Sequence, residues 1–270
     1  MHGAWHGAWC WQKLAPLLRE KGLVVYTPTQ TGVGEKAHLL SDQLSVDTFV
    51  NDIADFLSEH DLNNVILVGH SFAGISISGV ADRMPERIRR LVYLDALLLQ
   101  NGQSVFDIIP PQMVQARREL AQQTSGGLSL PAPEPEVLGV TELQDVQWVK
   151  SHCTPHPIST YESKMTLSHA LGNGLAATYI AVLPHYSATT ASRNYAKTRS
   201  DWQYVEIPAG HDAMVTSPLA LYELIAPMAQ PEVMMYPPSL EDRALKYIEG
   251  HNREIWIVIA LLVALAVLMK

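Results

Sequence analysis

The sequence predicts an α/β fold with a mostly parallel sheet, and three observations predict it. Residues 65–69 (VILVG) are apolar on both faces, as strands of a parallel sheet are. Residues 46–60 carry apolar side chains at helical spacing. Such strands and helices then alternate along most of the chain. At 270 residues and 47% hydrophobic content, the chain can bury a full core.

The elements follow in order. Residues 23–28 (LVVYTP) are a short β-branched run ended by proline, which predicts a strand. In residues 46–60, Val46, Phe49, Val50, Ile53, Phe56 and Leu57 make one apolar helix face, and Asn63-Asn64 ends the unit. Residues 65–69 are the next strand, and 75–84 a helix that stops before Pro85. Residues 91–96 (LVYLDA), 178–182 (TYIAV) and 202–207 (WQYVEI) are three more buried strands, and 219–228 a closing helix. Between residues 97 and 165 the alternation stops. Pro110-Pro111, a helical stretch near 113–123, SGGLSLPAPEPE and SHCTPHP are too much for a plain connection. They read as a cap inserted over the sheet edge where ligands bind. The expected organisation is a core at 1–96 and 166–230, a cap at 97–165, a linker at 231–254 and an apolar tail at 255–269.

The net charge of −8 and the lack of a Lys/Arg-rich stripe argue against nucleic acid. Cys10 and Cys153 give neither a disulfide framework nor metal spacing, and no signal peptide is visible, so a reducing, cytoplasmic setting is expected. No metal is expected. Residues 255–269 (IWIVIALLVALAVLM) are uninterruptedly apolar. As a helix they would reach roughly 22 Å, against about 30 Å for a hydrocarbon core. A membrane tail anchor, a helix buried in an oligomer and a non-native or misread C-terminus all remain open.

The chemistry concentrates at VILVGHSFAG (65–74). A strand, a turn of small residues with Ser71 at its tip, and a helix make a nucleophile elbow of the G-x-S-x-G kind, with Ala73 in place of the second glycine and Gly74 following. The bland alternative is a Gly/Ser turn without chemistry. A serine needs a base. His211, in PAGHDAM just after a strand late in the chain, stands where the base belongs, although ten other histidines compete. Acyl transfer also needs N–H donors for the oxyanion. Phe72, the residue after the serine, supplies one. The opening turn His2-Gly3-Ala4-Trp5 supplies the other from Ala4, while Trp5, Trp9 and Trp11 read equally as a packed aromatic cluster.

HGAWHGAWCW, VGHSFAG, VYLDALLLQNGQSV and GHDAMVTSP together resemble the α/β-hydrolase superfamily, over about residues 2–226. The closer likeness is to plant methylesterases and hydroxynitrile lyases and their bacterial esterase relatives. That resemblance implies the α/β-hydrolase fold, Ser71 as nucleophile, His211 as base, Ala4 and Phe72 as oxyanion donors, and no cofactor. Lyases of this family carry a lysine directly after the catalytic histidine and a threonine in the opening turn. Here Asp212 and Gly3 stand at those places. Both differences favour ester hydrolysis, and the cap and the Trp-rich opening suggest a small or medium apolar ester or lactone as substrate. Carbon–carbon lyase chemistry and a non-catalytic ligand-binding role are the alternatives.

Plant members place the triad acid after the strand equivalent to TYIAV. AVLPHYSATTASRNYAKTRS contains no Asp or Glu, and the expected place falls near His185. Asp95, ending LVYLD after the nucleophile helix, is the best substitute, with a helix-capping role as the bland alternative. Asp201, Asp107 and Asp212 are poorer candidates by position. Phe106, Met113 and Trp148 could line an apolar pocket, though core packing is their commoner use. The family's strand before His2, expected between 23–28 and 65–69, has only Met1 to build it. That strand is expected to be missing, and the true start to lie upstream.

Overall fold

The computed structural model describes residues 1–229. The expected linker (231–254) and apolar tail (255–269), and with them any membrane anchor, lie outside the described residues. Among the described residues, no helix is long and apolar enough to cross a membrane.

Strand β1 (Val65–His70), β2 (Ile88–Leu94), β5 (Ala177–Leu183) and β6 (Trp202–Pro208) form one parallel sheet in the order β1-β2-β5-β6. Leu67 registers with Leu91, Leu94 with Ile180, and Ile180 with Val205. A two-residue antiparallel ribbon of β3 (Ser129–Leu130) and β4 (His156–Pro157) stands apart from it. The helices are α1 (Ala15–Glu20), α2 (Val46–Glu59), α3 (Ala73–Arg83), α4 (Val105–Ile108), α5 (Pro111–Ser125), α6 (Leu143–His152), α7 (Ser159–Glu162), α8 (Thr190–Thr198), α9 (Ala213–Thr216) and α10 (Pro218–Met228).

Sequence explains the main supports. Helix α2 starts at a capping box in which Ser45 and Thr48 exchange side-chain-to-backbone bonds. Its face Val46, Phe49, Val50, Ile53 and Leu57 is buried, and α2 packs on α3. At Gly79 an added Cβ would meet Val50 and Met165 side chains, so this glycine sets how closely α2 and α3 approach. The core lies on both sides of the sheet. One side gathers α2, α3 and the 97–165 segment around Phe49, Tyr93 and Tyr179. The other gathers Trp9, Trp11, Leu138, Ile180 and Met214.

One expected strand is overturned. Residues 23–28 form no strand, and Val24 is 81% exposed. A strand persists only beside a partner that takes its N–H and C=O groups, and the position between 23–28 and β1 is a cavity of about 690 Å³ lined by both. Among the described residues Met1 alone pairs there: its amino group donates to the Val68 carbonyl, and its own carbonyl accepts from the His70 N–H at 3.0 Å. Among the described residues no strand precedes the His2–Trp5 turn.

Candidate active site

The strand-to-helix turn after β1 bends so sharply that Ser71 takes φ +52°, a left-handed conformation rare for any residue but glycine. The bend is held from outside: the Ser71 N–H donates to the Leu94 carbonyl (3.0 Å), and the Leu97 N–H to the Ser71 carbonyl (2.9 Å). The need for small neighbours falls on particular positions. A Cβ on Gly69 would stand 2.8 Å from the Ala73 carbonyl oxygen, and one on Gly74 would stand 2.6 Å from Ala96 Cβ. Ala73 is fully buried and fits, so the glycine that the turn requires is Gly74.

Ser71, His211 and Asp95 meet in one line. His211 Nε2 lies 2.9 Å from Ser71 Oγ, and His211 Nδ1 lies 2.6 Å from Asp95 Oδ2. All three are buried, the serine 8% exposed. Asp95 follows β2, and its N–H bonds the Ile180 carbonyl of the neighbouring strand at 2.7 Å. Its φ of +39° is a second left-handed turn, which carries the carboxylate to the imidazole. Its other oxygen, Oδ1, accepts from Thr189 Oγ1 at 2.9 Å. The competing carboxylates are engaged elsewhere. Asp201 pairs with Arg199 on the surface, Asp107 caps α4 through Ser104, and His185, where the family's acid was expected, bonds the Val182 carbonyl.

The opening turn abuts the elbow. A Cβ on Gly3 would fall 2.7 Å from Ser71 Cβ and 2.9 Å from His70 Nδ1, so a threonine there would not fit without a shift. Among the described residues the N–H groups of Ala4 and Phe72 have no hydrogen-bond acceptor. Trp9 and Trp11 are core residues, and Trp5, at φ +65°, donates its indole N–H to the Leu130 carbonyl of β3 at 3.1 Å.

Asp212 is fully buried, and its carboxylate turns to His6 Nε2 at 2.9 Å rather than toward the serine. His70 Nε2 donates to the His211 carbonyl at 3.0 Å. Burial, reinforced by the neighbouring His211 and His6 rings, holds His70 well below the usual histidine range, so it is neutral. His6 behaves oppositely: burial lowers its pKa, but the Asp212 carboxylate and the Ala4 carbonyl outweigh it and the net shift is upward.

Thr189, Tyr186 and His6 escaped the sequence reading. Tyr186 stacks on the His211 ring, centroids 3.9 Å apart. Thr189 and Tyr186 lie in the stretch 181–200, which holds no acid but does hold hydroxyl groups able to anchor a carboxylate from another strand. Of the candidate pocket residues, Trp148 packs against Trp9, and Phe106 against Tyr161. Met113 is 39% exposed on α5. Phe72, the residue after the serine, clusters with His156 and Tyr161, its ring centroid 4.8 Å from His156 and 5.2 Å from Tyr161. Among the described residues no group of three or more His, Cys, Asp or Glu could hold a metal ion.

Residues 1–224 match the family model described as "Alpha/beta hydrolase family". The chain belongs to this family. Among its relatives is a "Carbendazim hydrolyzing esterase" of Nocardioides sp. (strain SG-4G), 37% identical over 237 residues, covering 84% of this chain and 96% of the relative. A "Putative methylesterase 14, chloroplastic" of Arabidopsis thaliana is 34% identical over 119 residues, 44% of this chain and 34% of its own. The fold is shared with an extracellular alpha/beta-hydrolase from a Paenibacillus species, at TM-score 0.71 and 24% identity, covering 84% of this chain and 96% of that one.

Proposed function

We propose that this chain is a serine esterase that cleaves a small or medium apolar carboxylic ester through an acyl-enzyme on Ser71. The observation that carries the reading is the continuous line Ser71 Oγ–His211–Asp95, with bonds of 2.9 and 2.6 Å. Asp95 accepts the Nδ1 proton, so Nε2 carries the lone pair and takes the serine proton. Ser71 Oγ forms a bond to the ester carbonyl carbon, and its proton passes to His211. The carbonyl π electrons move onto oxygen, which the N–H groups of Ala4 and Phe72 receive. Collapse expels the alcohol, protonated by His211. Water then attacks the acyl-enzyme by the same route, releasing the acid and restoring Ser71.

The esterase named among the relatives supports this class of reaction. The 97–165 segment serves as the cap, and its His156 and Tyr161 rings pack against Phe72, the residue after the serine. Lyase chemistry lacks the cation after the histidine that it would need, because Asp212 stands there and is bound to His6.

A fluorophosphonate probe with wild type and Ser71→Ala tests the proposal. Labelling of Ser71, with hydrolysis of p-nitrophenyl esters that Ser71→Ala abolishes, is the expected result. Folded wild type that neither labels nor turns over esters refutes it and favours the ligand-binding alternative. A series of acyl chain lengths then measures the pocket.

A further inference from the structure

His6 is a buried histidine that the mechanism above does not use. Its Nδ1 lies 2.6 Å from the Ala4 carbonyl oxygen and its Nε2 lies 2.9 Å from Asp212 Oδ2. Both partners are acceptors, so each ring nitrogen needs a proton opposite it. The ring is fixed further by stacking on Trp9, centroids 5.1 Å apart at 22°. Ala4 belongs to the opening turn; Asp212 follows the base, 206 residues from His6.

We propose that His6 is a positioning residue whose ring straps the Ala4 turn to the 211–212 turn, so that the oxyanion donor and the base hold one geometry. This rests on the esterase reading, with Ala4 as donor and His211 as base. The Ala4–His6 bond closes a turn whose middle residue, Trp5, has φ +65°, a conformation that needs support in a non-glycine residue. Closing it fixes the direction of the preceding peptide, which carries the Ala4 N–H. At the other end Asp212 is anchored by its own N–H to the Leu138 carbonyl at 3.1 Å, and its carbonyl accepts from Val215 (2.8 Å) and Thr216 (3.0 Å). His70 adds a parallel strap through the His211 carbonyl. The upward shift of the His6 pKa agrees with a ring that keeps both protons. The carboxylate after the base thus acts by holding the opening turn.

The test uses His6→Gln, Asp212→Asn and the double variant, with kcat expressed per serine titrated by the fluorophosphonate. A glutamine cannot reach both acceptors; an asparagine keeps the size of Asp212 and removes its charge. The expected result is a fall in kcat of about 10- to 100-fold with KM within about 3-fold, because a misaimed donor is felt in the transition state. The inhibition constant of an alkyl boronic acid, which mimics the tetrahedral oxyanion, should rise by the same factor. The double variant should lose little more than the worse single, since the two side chains act as one unit. Less titratable protein with unchanged kcat per site and unchanged boronate affinity overturns the inference. Where His6→Gln does not accumulate, Asp212→Asn decides by the same two readouts. Wild type that is neither labelled nor active refutes the esterase reading itself, a result distinct from active variants with normal kcat.

Discussion

Asp95→Asn tests the proposed role of Asp95 as the acid that orients His211. Asp95 offers one oxygen to His211 Nδ1 at 2.6 Å and the other to Thr189 Oγ1 at 2.9 Å. Asparagine has one oxygen. If that oxygen keeps the Thr189 hydroxyl, the amide N–H₂ faces Nδ1, and the ring must carry its proton on Nε2. That tautomer cannot accept the Ser71 proton. If the amide turns over, the Thr189 hydroxyl accepts from the N–H₂ and donates instead to the Tyr186 carbonyl, 3.0 Å away. Either way the imidazolium formed in the transition state loses its counter-charge. The expected fall in kcat is about 10³- to 10⁴-fold, or roughly 4–5.5 kcal/mol of barrier. The side chain is isosteric, so melting temperature should barely move. Thr189→Val leaves the Asp95–His211 bond and should cost only about 10-fold. The assay is p-nitrophenyl ester hydrolysis per titrated serine. Near-wild-type turnover by Asp95→Asn, with Ser71→Ala inactive, would show that Asp95 is not the acid.

Three further outcomes are expected. Gly3→Ala places a methyl 2.7 Å from Ser71 Cβ; the turn must withdraw, and kcat should fall at least about 10-fold, an expectation that unchanged turnover refutes. Gly74→Ala sets a methyl 2.5 Å from the Leu97 carbonyl oxygen and 2.6 Å from Ala96 Cβ, an overpacking that should cost about 1–3 kcal/mol in urea unfolding; a midpoint within error of wild type contradicts it. Burial lowers His2 and His156 to about 3 and holds His70 well below its ordinary range. The unfolded chain therefore binds more protons once pH drops below about 6.5, and each ring held neutral should lower stability by about 1.4 kcal/mol per unit there, so stability should fall between pH 7.5 and 5.5. His6, whose pKa is raised, contributes the opposite slope, lost as pH rises above the ordinary histidine value. Flat unfolding midpoints across pH 7.5 to 5.5 would mean that these rings are not held neutral.

How much was legible depends on the distance over which each feature is encoded. The elbow is written in ten consecutive residues, because strand, turn and helix must meet at Gly69 and Gly74, and only side-chain size decides whether they can. His211 was readable from its place after a strand near the end of the order. Asp95 was reached by elimination from a segment without acids. Thr189 was not, because its role arises only when the turn before α8 meets the residue after β2, 94 positions away in the chain. His6 was hidden for the same reason, since nothing near it in sequence names Asp212 as its partner.

The sequence by itself determined the alternation of strands and helices and the sharp turn at Ser71, and it singled out His211, which lies beside that serine, because these are local patterns of size and polarity. Only the tertiary structure decided which carboxylate faces the imidazole, where the Asp212 charge goes, and that residues 23–28 form no strand. Each of these is a matter of what lies across the fold. A β-branched run becomes a strand only when a neighbour accepts its backbone hydrogen bonds, and a buried carboxylate takes its role from whichever donor the packing brings to it.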